Sequence, residues 1–380
     1  MSSLLAEVKQ HLESAKGDSR DALLRQLHEI ISSLETSEQT ATRVALLPLQ
    51  TSAARIGQNL KIFETLTNSG PKSVDELQTT TKAHPRTLGR LLRYMASVGF
   101  IREIDANHFE ANHTSQNLAT PAAMATVTHF FENGIPLFYE MPKFLGNNNY
   151  QDVTDGKSTV FQSAYKTDLD AYEWFPKNPE QRNALIQYMA VQGKVKGRWL
   201  DEYPIKSYTA SWDPQLPVFV DVGGNVGRSC ALFKSHFPEV PGRVILQDLG
   251  HTLTQAMQTP GVETIAHDIF EPQPVKGAKF YHLGWILHNL NDEKCKQILH
   301  NIKSAMTAPS VLLINDMILS ETGVPPFAAS LDLITLAAFG GRERTMTEWR
   351  DMLGEVGFVI KDCIVYDREG SHGIIGAALP

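Results

Sequence analysis

The chain is 380 residues long, with 42% hydrophobic and 20% charged residues, a balance that suits an ordinary globular protein of about two domains. A formal net charge of −7 argues against a partner bound through nucleic-acid phosphates. No apolar run approaches the roughly 20 residues of a membrane span, and the N-terminus lacks the basic-then-apolar order of a secretory signal.

The opening segment reads as an amphipathic helix with Leu4, Leu5, Val8 and Leu12 on one face. Further on, Ser73 and Glu76 form a capping box ahead of Leu77. Pro85 suits the first turn of a helix in which Leu88, Leu91, Leu92, Met95 and Val98 recur at helical spacing. Gly99 closes that helix, and the runs 100–105 and 108–112 predict a short β-hairpin. Helix, turn, helix and hairpin follow the order of a winged helix, so residues 1–115 are assigned to a helical, winged-helix-like domain. Arg86, Arg90 and Arg93 are its only cationic candidates for DNA. Dimerisation or substrate lining therefore suits it better than a regulatory, DNA-binding role.

Residues 116–210 are read as a helical substrate-pocket and linker region. Aromatic and Met side chains crowd it: Phe130, Phe131, Phe138, Tyr139, Met141, Trp174, Phe175, Tyr188 and Met189. Most suit a plain core, and some could line an apolar pocket. His129, in THFFENG, could face that pocket or be a hydrogen-bonded core residue. A stretch rich in Ser, Asp and Pro (206–217) closes the region as a linker.

From residue 211 to the C-terminus the rhythm changes. VFVDV, RVILQD, VETIA, KFYHL, SVLLIND and a strand over 358–365 alternate with helical stretches, the pattern of a parallel sheet covered by helices on both faces. GIIGAALP is expected to add an antiparallel edge strand. The first strand runs through Asp221 into Gly223, Gly224, Asn225 and Gly227, where glycines allow positive φ and close approach of a ligand. Asp248 ends the next strand, placed to bind ribose hydroxyls. Asp268 and Ile269 end the third, where an acid can reach an adenine amino group. A dinucleotide site would look similar, but the glycine spacing is not GxGxxG, and Asp221 and Asp268 favour S-adenosylmethionine (SAM).

DVGGNVG, QDL, HDIFEPQPVKGAKFY, WILHNLNDEKC, LLINDM and GGRERT, in that order, resemble the motifs of the plant and fungal class I (caffeic-acid-type) O-methyltransferases. The resemblance implies an α/β fold: a SAM-dependent methyltransferase with a Rossmann-like, mostly parallel seven-stranded sheet and an N-terminal dimerisation domain. It also implies a homodimer acting on a small molecule, while Cys230, Cys295 and Cys363, an odd set without CxxC or Cys/His ligand spacing, suit reduced thiols in a cytoplasmic protein. Trp285 would join the cofactor residues. His288 would be the general base, with Asp316 and Glu343 orienting it, and His129, Phe130, Trp174, Met189 and Asn289 would meet the substrate. No metal is expected, because no His or carboxylate set has ligand spacing.

Several positions depart from the family pattern: Asn225 for a glycine, Asn289 for an Asp, Asp316 for a Glu and Gly284 for a Lys or Arg. LLRYMASVGF, RVILQDL, PQPVKGAKFY and the placement of His129 in THFFENG also resemble a fungal branch that keeps SAM bound while catalysing pericyclic or dehydrative steps on polyketide–pyridone intermediates. O-methylation of a polyketide, aromatic or pyridone-type hydroxyl is the expected activity, and pericyclisation the alternative.

Overall fold

The computed structural model describes residues 18–196 and 199–380. The predicted apolar face of Leu4, Leu5, Val8 and Leu12 lies outside the described residues. The chain divides into two compact units, Met1–Val127 and Thr128–Pro380.

In the first unit, four helices (Asp18–Leu34, Ser37–Ala45, Leu47–Asn59 and Ile62–Ser69) precede the pair Val74–Thr81 and Pro85–Ser97. The Ser73 hydroxyl accepts the Glu76 N–H at 3.2 Å, and the Glu76 carboxylate accepts the Ser73 N–H at 2.7 Å. Donors that a helix start would leave open are thereby satisfied. Helix Pro85–Ser97 buries Leu88, Leu92 and Met95 in a cluster with Phe63, Leu66, Leu77 and Phe109. Gly99, at φ +80°, ends it. Three short strands follow the order β1-β3-β2: β1 (Lys72–Ser73), β2 (Arg102–Asp105) and β3 (His108–Glu110). The β2–β3 hairpin matches the expectation; β1 is too short to leave a periodic signal.

The second unit carries the large sheet. Its strands are β4 (Pro217–Val222), β5 (Arg243–Asp248), β6 (Val262–Ala266), β7 (Phe280–Gly284), β8 (Val311–Leu319), β10 (Val359–Asp367) and β11 (His372–Ala378), in the order β10-β11-β8-β7-β4-β5-β6. A two-residue strand, β9 (Arg344–Thr345), pairs with β8 off this path. Strands β6, β5, β4, β7 and β8 are parallel. Helical side chains cover both faces: Ile298, Leu299, Ile302, Trp349 and Leu353 in one cluster, Trp199, Leu200, Phe233 and Phe237 in the other. The chain builds β4, β5 and β6 outward in one direction and then returns to place β7 on the other side of β4. The carboxyl ends of β4 and β7 flank that reversal, where open α/β sheets bind ligands.

One expectation is corrected. The terminal strand is antiparallel as predicted, but β11 lies between β8 and β10, and β10 takes the edge. Every residue of β11 is buried, whereas β10 alternates. A side chain at Gly373 would run into Ile318, and one at Gly376 into Tyr203. Small residues are needed there because both faces are covered.

Within the same unit, Leu137, Val160, Phe161 and Ala171 pack with Ala337 and Ala338 of the helix Pro326–Phe339. The stretch read as a linker begins inside a short helix, Ile205–Thr209, and the nearby Tyr203 hydroxyl donates to Asp362 at 3.0 Å.

Candidate active site

Three elements bring an imidazole and two acids together. His288 sits in a single 3-10 turn, Leu287–Asn289, between β7 and the helix Asp292–Lys303. Asn291 caps that helix, its side chain accepting the Lys294 N–H at 3.0 Å, which fixes where the turn ends. Asp316 comes from β8, and Glu343 immediately precedes β9. His288 Nδ1 lies 2.7 Å from Glu343 Oε1 and 3.7 Å from Asp316 Oδ1. The backbone N–H of His288 also donates to Asp316 Oδ2 at 3.3 Å. A carboxylate facing Nδ1 holds the proton there, so Nε2 carries the lone pair that can accept a proton. Both carboxylates are almost fully buried. Burial pushes the Asp316 pKa up, with His288 opposing and Glu343 reinforcing the rise. Glu343 is held in turn by its own N–H, which donates to Asp332 at 2.8 Å.

The sequence holds no metal-ligand spacing, yet ligand atoms of His288, Asp316 and Glu343 lie within 4.8 Å of one another. Both acids face the same nitrogen, Glu343 at hydrogen-bonding distance and Asp316 just beyond it. Nδ1 would have to lose its proton to ligate a cation. The arrangement suits an oriented imidazole better than a metal centre.

The glycine-rich loop lies at the carboxyl end of β4. Gly223 and Gly227 have φ of +70° and +85°, and Asn225, the departure from the family pattern, adopts φ +54°. Asparagine tolerates this left-handed region better than most residues. Gly224 has no room for a side chain: a Cβ would meet the Asp221 carboxylate and come within 2.6 Å of a Leu246 methyl. Asp221 itself is buried and turned inward, with His282 Nδ1 at 2.7 Å and the Cys230 thiol at 3.8 Å. It supports the loop from below. Asp248 accepts the Asn225 N–H through one oxygen and the Leu249 N–H through the other, both at 2.8 Å. Asp268 takes the Phe270 N–H at 3.0 Å, and Ile269 lies 3.6 Å from where a Gly223 side chain would begin. Trp285 holds φ +60°, an uncommon conformation for a bulky residue. Its ring meets those of His288 and His372 edge-on, with centroids 5.6 and 4.8 Å away.

The residues read as substrate contacts do not form one cluster, and Asn289 sits in the His288 turn itself. His129 stacks on Tyr188, with centroids 4.6 Å apart and planes 7° from parallel, and Phe130 packs edge-on against both. His129 ends an α-helix where a π-helical turn, Phe130–Gly134, begins. The Asn133 amide donates to the Gln181 carbonyl and to His129 Nδ1, both at 3.0 Å. Nδ1 therefore accepts, and the ring proton sits on Nε2. Burial pushes the His129 pKa down to about 4, so the ring is neutral at pH 7. Trp174 belongs instead to an aromatic cluster with Phe161, Tyr165 and Phe175. Met189 is 45% exposed on the helix Pro179–Lys196.

Three further residues join the site without a sequence prediction. Tyr172, 64% exposed, stands near the Asn289 side chain and Asp248. Asp332 holds Glu343; its only signal was an acid inside the apolar run SLDLITL. Arg344 lies beneath the His288 turn, and GGRERT contained it without indicating that its guanidinium is wholly buried.

Comparison with known proteins accords with this geometry. An O-methyltransferase domain model matches residues 149–359. The O-methyltransferase ucdC of Aspergillus ustus is 35% identical over 95% of both chains. Two solved structures, one described as a pericyclic reaction enzyme and one as LepI in complex with SAM, are each 31% identical with a TM-score of 0.85. Each covers 100% of this chain and 99% or 98% of its own. The chain belongs to the O-methyltransferase family.

Proposed function

We propose that the protein is a SAM-dependent O-methyltransferase acting on a hydroxyl of a bulky, mostly apolar fungal secondary metabolite of polyketide, aromatic or pyridone type. The observation that carries this reading is the His288–Glu343 contact at 2.7 Å, with Asp316 behind it. The cofactor fits the chain's own loop. Gly223, Asn225 and Gly227 carry the loop through positive φ at the carboxyl end of β4, and Asp248, its two oxygens each fixed by an N–H, retains lone pairs for ribose hydroxyls. Asp268 and Ile269 would hold the adenine end, Asp221 would brace the loop, and Trp285 would border the reacting end. Bound there, SAM supplies a methyl group made electrophilic by its sulfonium.

The protein's part is to orient the acceptor hydroxyl and remove its proton. His288 Nε2 accepts that proton, and the two buried carboxylates stabilise the resulting imidazolium, as an acid does for the histidine of a hydrolase triad. Phe130, Met189, Asn289 and Tyr172, with the aromatic cluster around Trp174, would shape the acceptor pocket.

A second reading, pericyclic catalysis without net methyl transfer, is favoured by the 31%-identical structure described as a pericyclic reaction enzyme. His129 supports it too, as a neutral Nε2–H donor that could polarise a substrate carbonyl. Retention of His288 with both acids favours methylation.

The protein is further proposed to be a cytoplasmic homodimer. Its winged-helix-like region (1–115) would supply the interface, 116–210 the pocket and 211–380 the cofactor site. Mass spectrometry with SAM and candidate polyketide acceptors tests the activity. A product heavier by one CH2, with stoichiometric S-adenosylhomocysteine, unaffected by a chelator and lost in His288→Ala, is expected. A product of unchanged mass, or lighter by water, with the cofactor unconsumed would replace methylation by the pericyclic reading.

A further inference from the structure

The His288 turn is a weak element by itself: one 3-10 turn with poor intrinsic hydrogen bonding. What holds it is the wholly buried guanidinium of Arg344. Nη1 donates to the Leu287 carbonyl at 3.1 Å, and Nη2 to the Leu290 carbonyl at 3.2 Å. These are the carbonyls on either side of the His288–Asn289 pair. Nη2 also donates to Asp292 at 2.7 Å, and Asp292 is shared with Arg342 at 2.9 Å. The guanidinium lies over the Trp349 ring, 5.3 Å from its centroid. Cys295 Sγ reaches the Leu287 carbonyl from another side at 3.2 Å. Gly341 completes the seat, because a side chain there would overlap the backbone of His288 and Asn289.

A buried arginine with this geometry is not explained by charge alone. A lysine would keep the charge, but only a planar fork reaches two carbonyls and a carboxylate at once. Moreover, Glu343, which binds the imidazole, is the preceding residue, and β9 is paired with β8, which carries Asp316. The adjacent pair Glu343 and Arg344 therefore fixes the imidazole through the first and the backbone that bears it through the second.

We propose that Arg344 is a positioning residue for proton transfer, clamping the His288 turn so that the imidazole keeps its alignment. This rests on His288 being the proton acceptor, but the clamp can be tested apart from activity. In Arg344→Lys, amide hydrogen exchange of the turn peptide spanning 287–290 should accelerate by about 10-fold or more, with the rest of the sheet unchanged. Turnover should fall by about 10- to 100-fold, with the KM for SAM nearly unchanged, since misalignment affects only the reacting step. Asp292→Asn, which loosens Arg344 without burying a new charge, should give a smaller change of the same kind, and it carries the test if Arg344→Lys does not fold. Unchanged exchange of the turn in a folded variant would overturn the clamp. Faster exchange with unchanged turnover would overturn its role in positioning. Faster exchange in an enzyme that never transfers methyl would leave the clamp standing and remove the base reading.

Discussion

At the scale of single residues, the site is a set of close fits with little slack. Gly224 illustrates this. The loop passes so near the Asp221 carboxylate and Leu246 that a methyl group cannot be added without displacing one of them. Asp221 is itself committed to His282 at 2.7 Å and cannot yield cheaply. Gly224→Ala should therefore move the loop and weaken SAM binding by at least about 10-fold in calorimetric titration, at a stability cost of about 1–3 kcal/mol. Wild-type affinity in that variant would show that the loop does not cradle the cofactor. The glycines were legible in the sequence because glycine at a strand end has a local cause, and His288 because it sits in an ordered set of motifs. Arg344 and Asp332 were not, since each acts through a partner distant in sequence, Arg344 on Leu287 and Asp332 on Glu343; nor was Tyr172, which only the fold brings near Asn289.

At the scale of elements, strand identity was legible and strand placement was not. Alternating short apolar runs located β4 to β8, but GIIGAALP reads as the edge strand, because nothing local separates small residues at an exposed edge from small residues in a strand covered twice. Gly373 and Gly376 answer that, with Ile318 and Tyr203 filling the space a side chain would need. The π-helical turn after His129 was likewise invisible to a 3.6-residue period, although it places His129 against Tyr188 and Asn133. That placement has a pH consequence. The His129 pKa is about 4 in the folded chain against an ordinary 6.5, because burial disfavours the charged ring. Between those values the unfolded chain binds a proton that the folded chain refuses. Stability is therefore full above pH 6.5 and falls as pH drops through this window, by a few kcal/mol at most from this residue. Urea unfolding of His129→Gln, which keeps an acceptor for Asn133, should lose correspondingly less stability than wild type between pH 7 and pH 4.5. Equal losses would mean that the ring protonates freely in the folded state.

At the scale of the whole molecule, the residues proposed to carry the chemistry, from His129 to Glu343, all fall in the second unit, Thr128–Pro380. The first unit needs another reason for its form, and its surface suggests one. Leu24, Ile30, Ile31 and Leu34 on the helix Asp18–Leu34 are 40–77% exposed, and Val44, Leu46, Leu47 and Leu49 are about half exposed on the next two helices. Large apolar side chains exposed along three successive helices are what an interaction surface offers a partner. A second copy of this chain, meeting the same helices across a two-fold axis, would cover them without any partner of different chemistry. The proposed dimer gives a clear expectation in sedimentation equilibrium at micromolar concentration: wild type at twice the chain mass, and Ile31→Glu combined with Leu34→Glu shifted to monomer. SAM binding by the monomeric variant should persist in calorimetry, because the glycine loop, Asp248 and Asp268 all belong to the second unit. A wild-type monomer would reject the dimer and leave the apolar helices to some other occupant. A dimer indifferent to both substitutions would place its interface elsewhere on the chain.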